Sequence, residues 1–168
     1  RLIVWALPYY SLVSDDENEH GCDMVIAKTR RIPPEAIDPT VKNFSRLDFV
    51  GALFEAYERN AHFAVLLDEE GCVTEGRGWN LFALLGGELV TPDAGVLEGV
   101  TRRTVLELCE RLNISARPGQ LEGTALAEAD ELFMTSTAGG VMPVRTLDGS
   151  PVGDGEPGPV TTRIRELY

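Results

Sequence analysis

The sequence lacks any apolar run near the ~20 residues that span a bilayer, and Arg1 opens on a short strand-like run, not on the apolar core of a secretory leader. Positive charge is also scarce. Fifteen Lys+Arg stand against 27 Asp+Glu, a formal charge of −12. A nucleic-acid or anionic-membrane partner needs a basic surface to displace counterions, so both are excluded as expectations. Cysteine is sparse. Cys22, Cys72 and Cys109 are odd in number and far apart, matching neither a disulfide framework nor a zinc ribbon, which points to a reducing cytoplasm. His20 and Cys22 have no second ligand pair, so no metal site is expected. The sequons at Asn43 and Asn113 carry no weight without a leader. No G-x-S-x-G elbow and no phosphate loop ending in Gly-Lys-Ser/Thr occurs, and neither histidine has a triad context. Gly76-x-Gly78 lacks the third glycine and following helix of a dinucleotide fingerprint. The chain does not begin with Met, which suggests a piece of something longer.

What is present is an ordinary globular composition, 43% hydrophobic and 25% charged. Residues 2–9 read as a strand broken by Pro8, and the acidic run Ser14–Glu19 as a solvated loop. Asp23–Lys28 is a second strand. Leu47, Val50, Leu53, Phe54 and Tyr57 recur at helical spacing, predicting a helix over Arg46–Arg59. Phe63–Leu67 is strand-like. Trp79–Leu85 and Glu88–Thr91 pair as a hairpin across Gly86-Gly87. Val105, Leu108, Cys109 and Leu112 share one face of a helix over Thr101–Leu112, with Thr101 as its N-cap. Thr124–Asp130 is a short helix, Leu132–Ser136 and Val141–Arg145 are strands, and Val160–Leu167 is a closing helix. Hairpins mixed with packed helices give an α+β class.

Four features could carry chemistry, and each has an ordinary structural explanation. Lys42, between a Pro-containing turn and a helix, is either a solvated surface lysine or a partly desolvated nucleophilic amine. Glu75 lies in a glycine-flanked stretch between two strands, either a plain turn or a place where backbone approaches a ligand. Gly99-Val100-Thr101 opens a helix whose free amides and dipole suit a phosphate, or it is simply a cap. Thr135–Gly140 ends a strand in hydroxyl and glycine residues that suit an anion or a tight turn.

The order of Val41-Lys42-Asn43, Glu75–Asn80 (Glu-Gly-x-Gly-x-Asn), Thr91–Arg102 and Ser136–Pro143, with Asp148-Gly149 and Gly158–Thr161 closing, resembles the fold-type IV pyridoxal-phosphate (PLP) aminotransferases of the branched-chain and D-amino-acid group. The resemblance covers nearly the whole chain. It implies the large C-terminal PLP-binding domain of the D-amino-acid aminotransferase-like fold, with the N-terminal small domain mostly absent. Residues 1–9 would be that small domain's last strand, 10–18 the interdomain linker and 19–168 the large domain. By the same resemblance Lys42 is the catalytic Schiff-base lysine and Glu75 pairs with the pyridine nitrogen. Leu97 packs on the ring, Val100, Thr101 and Thr137 hold the phosphate, and Ser136, Ala138 and Gly139 border the substrate. A cytoplasmic homodimer is implied. Arg77 departs from the family's small residue or Pro at its position.

Branched-chain members typically read Thr-Ala-Ala-Glu where this sequence has Thr137-Ala138-Gly139-Gly140. The Ala-Gly-Gly-Val-Met-Pro form, with Pro8-Tyr9 and Val41-Lys42-Asn43, most resembles the (R)-selective amine transaminases, which move an amino group between an amine and a keto acid such as pyruvate. Alternatives are a branched-chain or D-amino-acid aminotransferase, an aminodeoxychorismate-lyase-like PLP lyase, or a catalytically silent binding or oligomerisation domain left by truncation.

Overall fold

Among residues 2–168, which the computed structural model describes, nine strands form one sheet: β1 (Cys22–Arg30), β2 (Phe63–Leu67), β3 (Val73–Gly76), β4 (Trp79–Leu85), β5 (Glu88–Thr91), β6 (Ala116–Pro118), β7 (Glu131–Ser136), β8 (Gly140–Leu147) and β9 (Ser150–Pro151). Four α-helices accompany them: α1 (Asp15–His20), α2 (Leu47–Glu58), α3 (Val100–Leu112) and α4 (Pro159–Arg165). Strand order runs β3-β2-β1-β8-β7-β4-β5-β6, and a further pairing of β3 with β4 closes the first six of these into a barrel. The β1–β2, β1–β8 and β5–β6 pairs are parallel, and the other ladders antiparallel.

Period-two alternation splits the apolar residues between two sides of these strands. Along β7, Leu132 and Met134 join one core with Leu81, Ala83 and Met142, while Phe133 turns to another and stacks on Phe82 at 4.9 Å between ring centroids. The first core fills the barrel. The second lies outside it, where Val105, Leu108 and Cys109 of α3 and Ile164 of α4 cover the sheet. On the opposite flank Phe49, Ala52 and Ala56 of α2 pack on Val25, Ala27, Ala64 and Leu66 of β1 and β2. The mixed α+β class expected from sequence is therefore observed.

Four expectations are corrected. Residues 2–9 form no strand and are exposed, because no sheet edge pairs with them. The acidic run is the helix α1: Ser14 and Glu17 form a reciprocal capping box, and three acids occupy its first turn, where the helix dipole favours them. Glu75 lies within β3, not in a turn; the reversal is made by Arg77-Gly78 alone, with Gly76 paired to Trp79. Gly78 has φ 92°, open to glycine at no steric cost, and Arg77 projects into solvent, so its departure from the family pattern is accommodated. Finally, α3 is capped by Gly99 without a side-chain bond, and the Thr101 hydroxyl lies 3.0 Å from the Tyr168 hydroxyl instead of capping.

Candidate active site

Outside the barrel, where β3, β4 and the end of β7 meet the first turn of α3, lies a cavity of about 400 Å³. That volume falls in the size class of small-molecule sites, roughly 300–1,000 Å³. Lys42, Glu75, Leu97, Val100, Thr101, Ser136 and Thr137 all line it, though up to 95 residues separate them in sequence. Ala138 and Gly139 do not. Their turn runs past the rim, where the Ala138 carbonyl accepts the Leu12 N–H at 2.6 Å and Gly139 borders a neighbouring hollow with Tyr168.

Glu75 is buried at the centre of the site. Its Oε2 accepts the Leu97 N–H at 2.9 Å and the Asn80 side-chain amide at 3.2 Å, and the same amide also donates to the Leu97 carbonyl at 2.9 Å. Asn80 stands opposite Glu75 in the β3–β4 ladder, so the hairpin register itself brings the pair together. Burial pushes the carboxyl up to about 6, against the downward pull of the Leu97 amide and of Arg31, Arg46 and Lys42. A buried carboxyl in this condition favours a bound cation, which would restore its charge.

The other end of the cavity suits an anion. Amides in the first turn of α3 have no intrahelical acceptor, and Gly99 places no side chain over them. Arg102, buried, ties that turn to the end of β5 through Thr91 (3.1 Å) and the Pro92 carbonyl (2.8 Å). The Thr135 hydroxyl is buried on this lining and has no hydrogen-bond partner among the described residues. Leaving such a hydroxyl unpaired costs about 1–3 kcal/mol; the β4–β7 register sets Thr135 beside Asn80 in the cavity wall.

Lys42 stands at the rim on the turn-rich segment between β1 and α2. Asp38 accepts from Thr40 before it, and Asn43 bonds the Val41 carbonyl (2.8 Å) and the Ser45 N–H (2.9 Å) after it, so side chain–backbone turns bracket the lysine. Lys42 is exposed within this chain and reaches the cavity from its edge.

Sequence reading assigns no role to Arg31, Asp48, Arg46 or Tyr168, and names Thr135 only within a run suited to an anion or a tight turn. Arg31 lies 44 positions from Glu75, and no local periodicity announces a contact between them. The one available signal was Arg31 and Arg46 flanking Lys42, two cations in a sequence poor in them.

A profile of the class IV amino-transferases matches residues 3–147. The branched-chain-amino-acid aminotransferase of Escherichia coli K12 is 34% identical over 172 aligned positions, covering 99% of this chain and 55% of its own length. The crystal structure of the Escherichia coli enzyme superposes with a TM-score of 0.91 over 95% of this chain and 54% of that one, at 34% identity. The branched-chain amino acid aminotransferase from Thermobaculum terrenum, in its PLP-bound holo form, is 31% identical, with a TM-score of 0.86 over 93% of this chain and 52% of that one. The chain thus spans about half the length of the curated relatives it matches.

Proposed function

The chain belongs to the class IV aminotransferase family, and from that premise we propose that the whole protein moves an amino group between an amine or amino acid and a keto acid, with pyridoxal phosphate held in the cavity described above. The observation that carries this reading is the pairing, in one cavity, of a buried carboxyl that needs a cation with a helix turn whose free amides suit an anion. A group with a basic ring nitrogen at one end and a phosphate at the other satisfies both. Bound there, pyridoxal phosphate supplies an aldehyde for covalent attachment and a ring that accepts the electrons released when an amine carbon loses its hydrogen.

The residues divide that work. The Lys42 amine would hold the cofactor's aldehyde carbon covalently with loss of water and, once displaced by the substrate amine, would carry the proton from the substrate carbon and back. The Glu75 carboxylate would keep a proton on the cofactor's ring nitrogen, and Asn80 and the Leu97 amide hold Glu75 in place. Val100, Thr101 and Thr137 would take the phosphate, and Leu97 would pack on the ring. Ser136 lines the substrate side, with Ala138 and Gly139 on its border. Residues 19–168 act as the large domain, with 1–9 and 10–18 read as the end of a small domain and its linker. The exposed apolar rim of Val41, Phe44, Leu47 and Val100 supports a homodimer in which further chain covers the site and removes water from Lys42.

The substrate is read as an (R)-amine with pyruvate as acceptor. Gly139 and Gly140 offer no side-chain donor, and the Ala138 N–H is already engaged by the Ser136 hydroxyl at 3.2 Å, which leaves the turn fewer donors for an α-carboxylate. A branched-chain amino acid is the second reading, favoured by the names of the relatives.

Borohydride reduction of the full-length protein with pyridoxal phosphate should leave a pyridoxyl adduct on the Lys42 peptide. Lys42→Ala should lose turnover and keep non-covalent binding of the cofactor. An adduct mapped reproducibly to Lys28, with Lys42 unmodified, overturns the assignment.

A further inference from the structure

Behind Glu75 lies an ion cluster to which the reading above gives no task. Arg31 follows β1, its N–H donated to the Leu67 carbonyl at 2.9 Å. Its guanidinium is buried, with Nη1 2.6 Å from Asp48 Oδ2, Nη2 3.5 Å from Glu75 Oε1, and the cation 4.3 Å over the Phe49 ring. Asp48, in the first turn of α2, is itself buried and also accepts the Ile32 N–H at 3.2 Å. One buried cation therefore stands between two buried carboxylates, bonded to Asp48 and only within ion-pair range of Glu75. Oε2 of Glu75 is held by two neutral donors, so Oε1 is the oxygen left to Arg31.

We propose that Arg31, held back by Asp48, is a positioning residue that fixes Glu75 Oε1 and meters the negative charge Glu75 presents to a bound basic ring nitrogen. The last part rests on the reading of Glu75 given above; the control of Glu75 by Arg31 does not. A guanidinium bonded fully to Glu75 would neutralise it and leave little attraction for a second cation. With no guanidinium nearby, burial would keep the carboxyl protonated through a wider pH range. The Asp48 bond holds the arrangement between these limits. Other charged groups reaching Glu75 are Lys42 and Arg46 on the segment before α2 and Arg102 on α3, with Glu98 on the same cavity wall. Among these, Arg31 alone forms an ion pair with Glu75.

The test follows the Glu75 carboxyl by carbon-13 NMR in the full-length apoprotein, its resonance assigned by loss in Glu75→Gln. Asp48→Asn keeps the shape and frees the guanidinium, so the titration midpoint should fall. The double variant Arg31→Met with Asp48→Leu removes the cation without leaving Asp48 as a second unpaired carboxylate, and the midpoint should rise, by about one pH unit. With pyridoxal phosphate bound, the pH dependence of its absorbance should move in the same two directions. Unmoved midpoints in both variants, or shifts in the same direction, overturn the proposal. Midpoints that move while the bound absorbance does not would uphold the control of Glu75 by Arg31 and overturn Glu75 as the ring-nitrogen partner.

Discussion

Glu75 shows how one residue links stability to chemistry. Its folded-state carboxyl titrates near 6 and its unfolded one near 4.5, so between those values the unfolded chain releases a proton that the folded chain keeps. The stabilising contribution is complete below pH 4.5 and is lost as pH rises through 6, amounting to about 2 kcal/mol. Glu75→Gln cannot titrate. Urea unfolding of the apoprotein should therefore show the variant gaining about 2 kcal/mol on the native protein between pH 4 and pH 7. A constant difference across that range would place the carboxyl in ordinary solvent. On the proposed role of Glu75, the same substitution in the holoenzyme would remove the charge that keeps the ring nitrogen protonated. Single-turnover absorbance should then show hydrogen transfer slowed roughly 30- to 1,000-fold, the cost of one electrostatic group.

At the scale of elements, α4 is held from outside itself. Its N-cap, Gly158, has no side chain, and the buried Glu131 on β7 replaces one by accepting from the Val160 N–H at 3.0 Å and from the Thr161 N–H and hydroxyl at 2.7 Å each. A Cβ at Gly158 would collide with that carboxylate, so glycine leaves room for the cap. The chain then runs on to Tyr168, whose hydroxyl meets Thr101 at the anion end of the cavity. Glu131→Gln turns an amide group toward backbone donors and should lose about 2–3 kcal/mol, roughly 5–10 °C in Tm for a domain of this size. Cofactor affinity should fall with it. Tyr168→Phe should weaken affinity alone, because the ring remains and only the hydroxyl bond goes. A Glu131→Gln protein melting like wild type would show that α4 is held by its apolar contacts. Elements of this kind differ in how far sequence discloses them. The β4–β5 hairpin, the α3 face and the existence of α2 were legible because alternation and helical spacing are local, but the α2 face was not: Leu47, Phe54 and Tyr57, which set its expected stripe, are exposed, and Phe49, Ala52 and Ala56 pack inward instead. The capping box of α1 was equally local in Ser14 and Glu17, yet the density of acid concealed it. The Glu131 cap, the Arg31–Asp48–Glu75 cluster and the Thr101–Tyr168 bond join residues far apart, and nothing in a linear pattern couples them. The motif order disclosed seven residues that line the cavity; the charges behind Glu75 required the fold.

At the scale of the chain as a whole, net charge and site charge oppose one another. The chain carries −12 overall, which repels anions at a distance, yet Arg31, Lys42, Arg46 and Arg102 gather around Glu75. Such local focusing favours a phosphate or a keto acid at close range while the wider field disfavours multiply charged ones. Pyruvate brings one carboxylate and 2-oxoglutarate two; a primary amine brings none, and leucine one. The turn through Ala138 has its amide engaged and glycines at the next two positions, so it gives a second carboxylate little to bind. Both considerations are in line with the proposed pair of substrates. Full-length enzyme should convert (R)-1-phenylethylamine with pyruvate faster than leucine with 2-oxoglutarate, compared as kcat/KM at fixed ionic strength. Raising salt should narrow the gap, since screening removes the long-range part of the penalty on the dianion and leaves the contact part. Faster turnover of leucine with 2-oxoglutarate would mean that residues beyond this chain supply a carboxylate clamp, and would move the protein to the branched-chain group its relatives are named for. Activity on D-alanine without activity on the amine would instead require an α-carboxylate site of opposite hand, and would place it with the D-amino-acid enzymes.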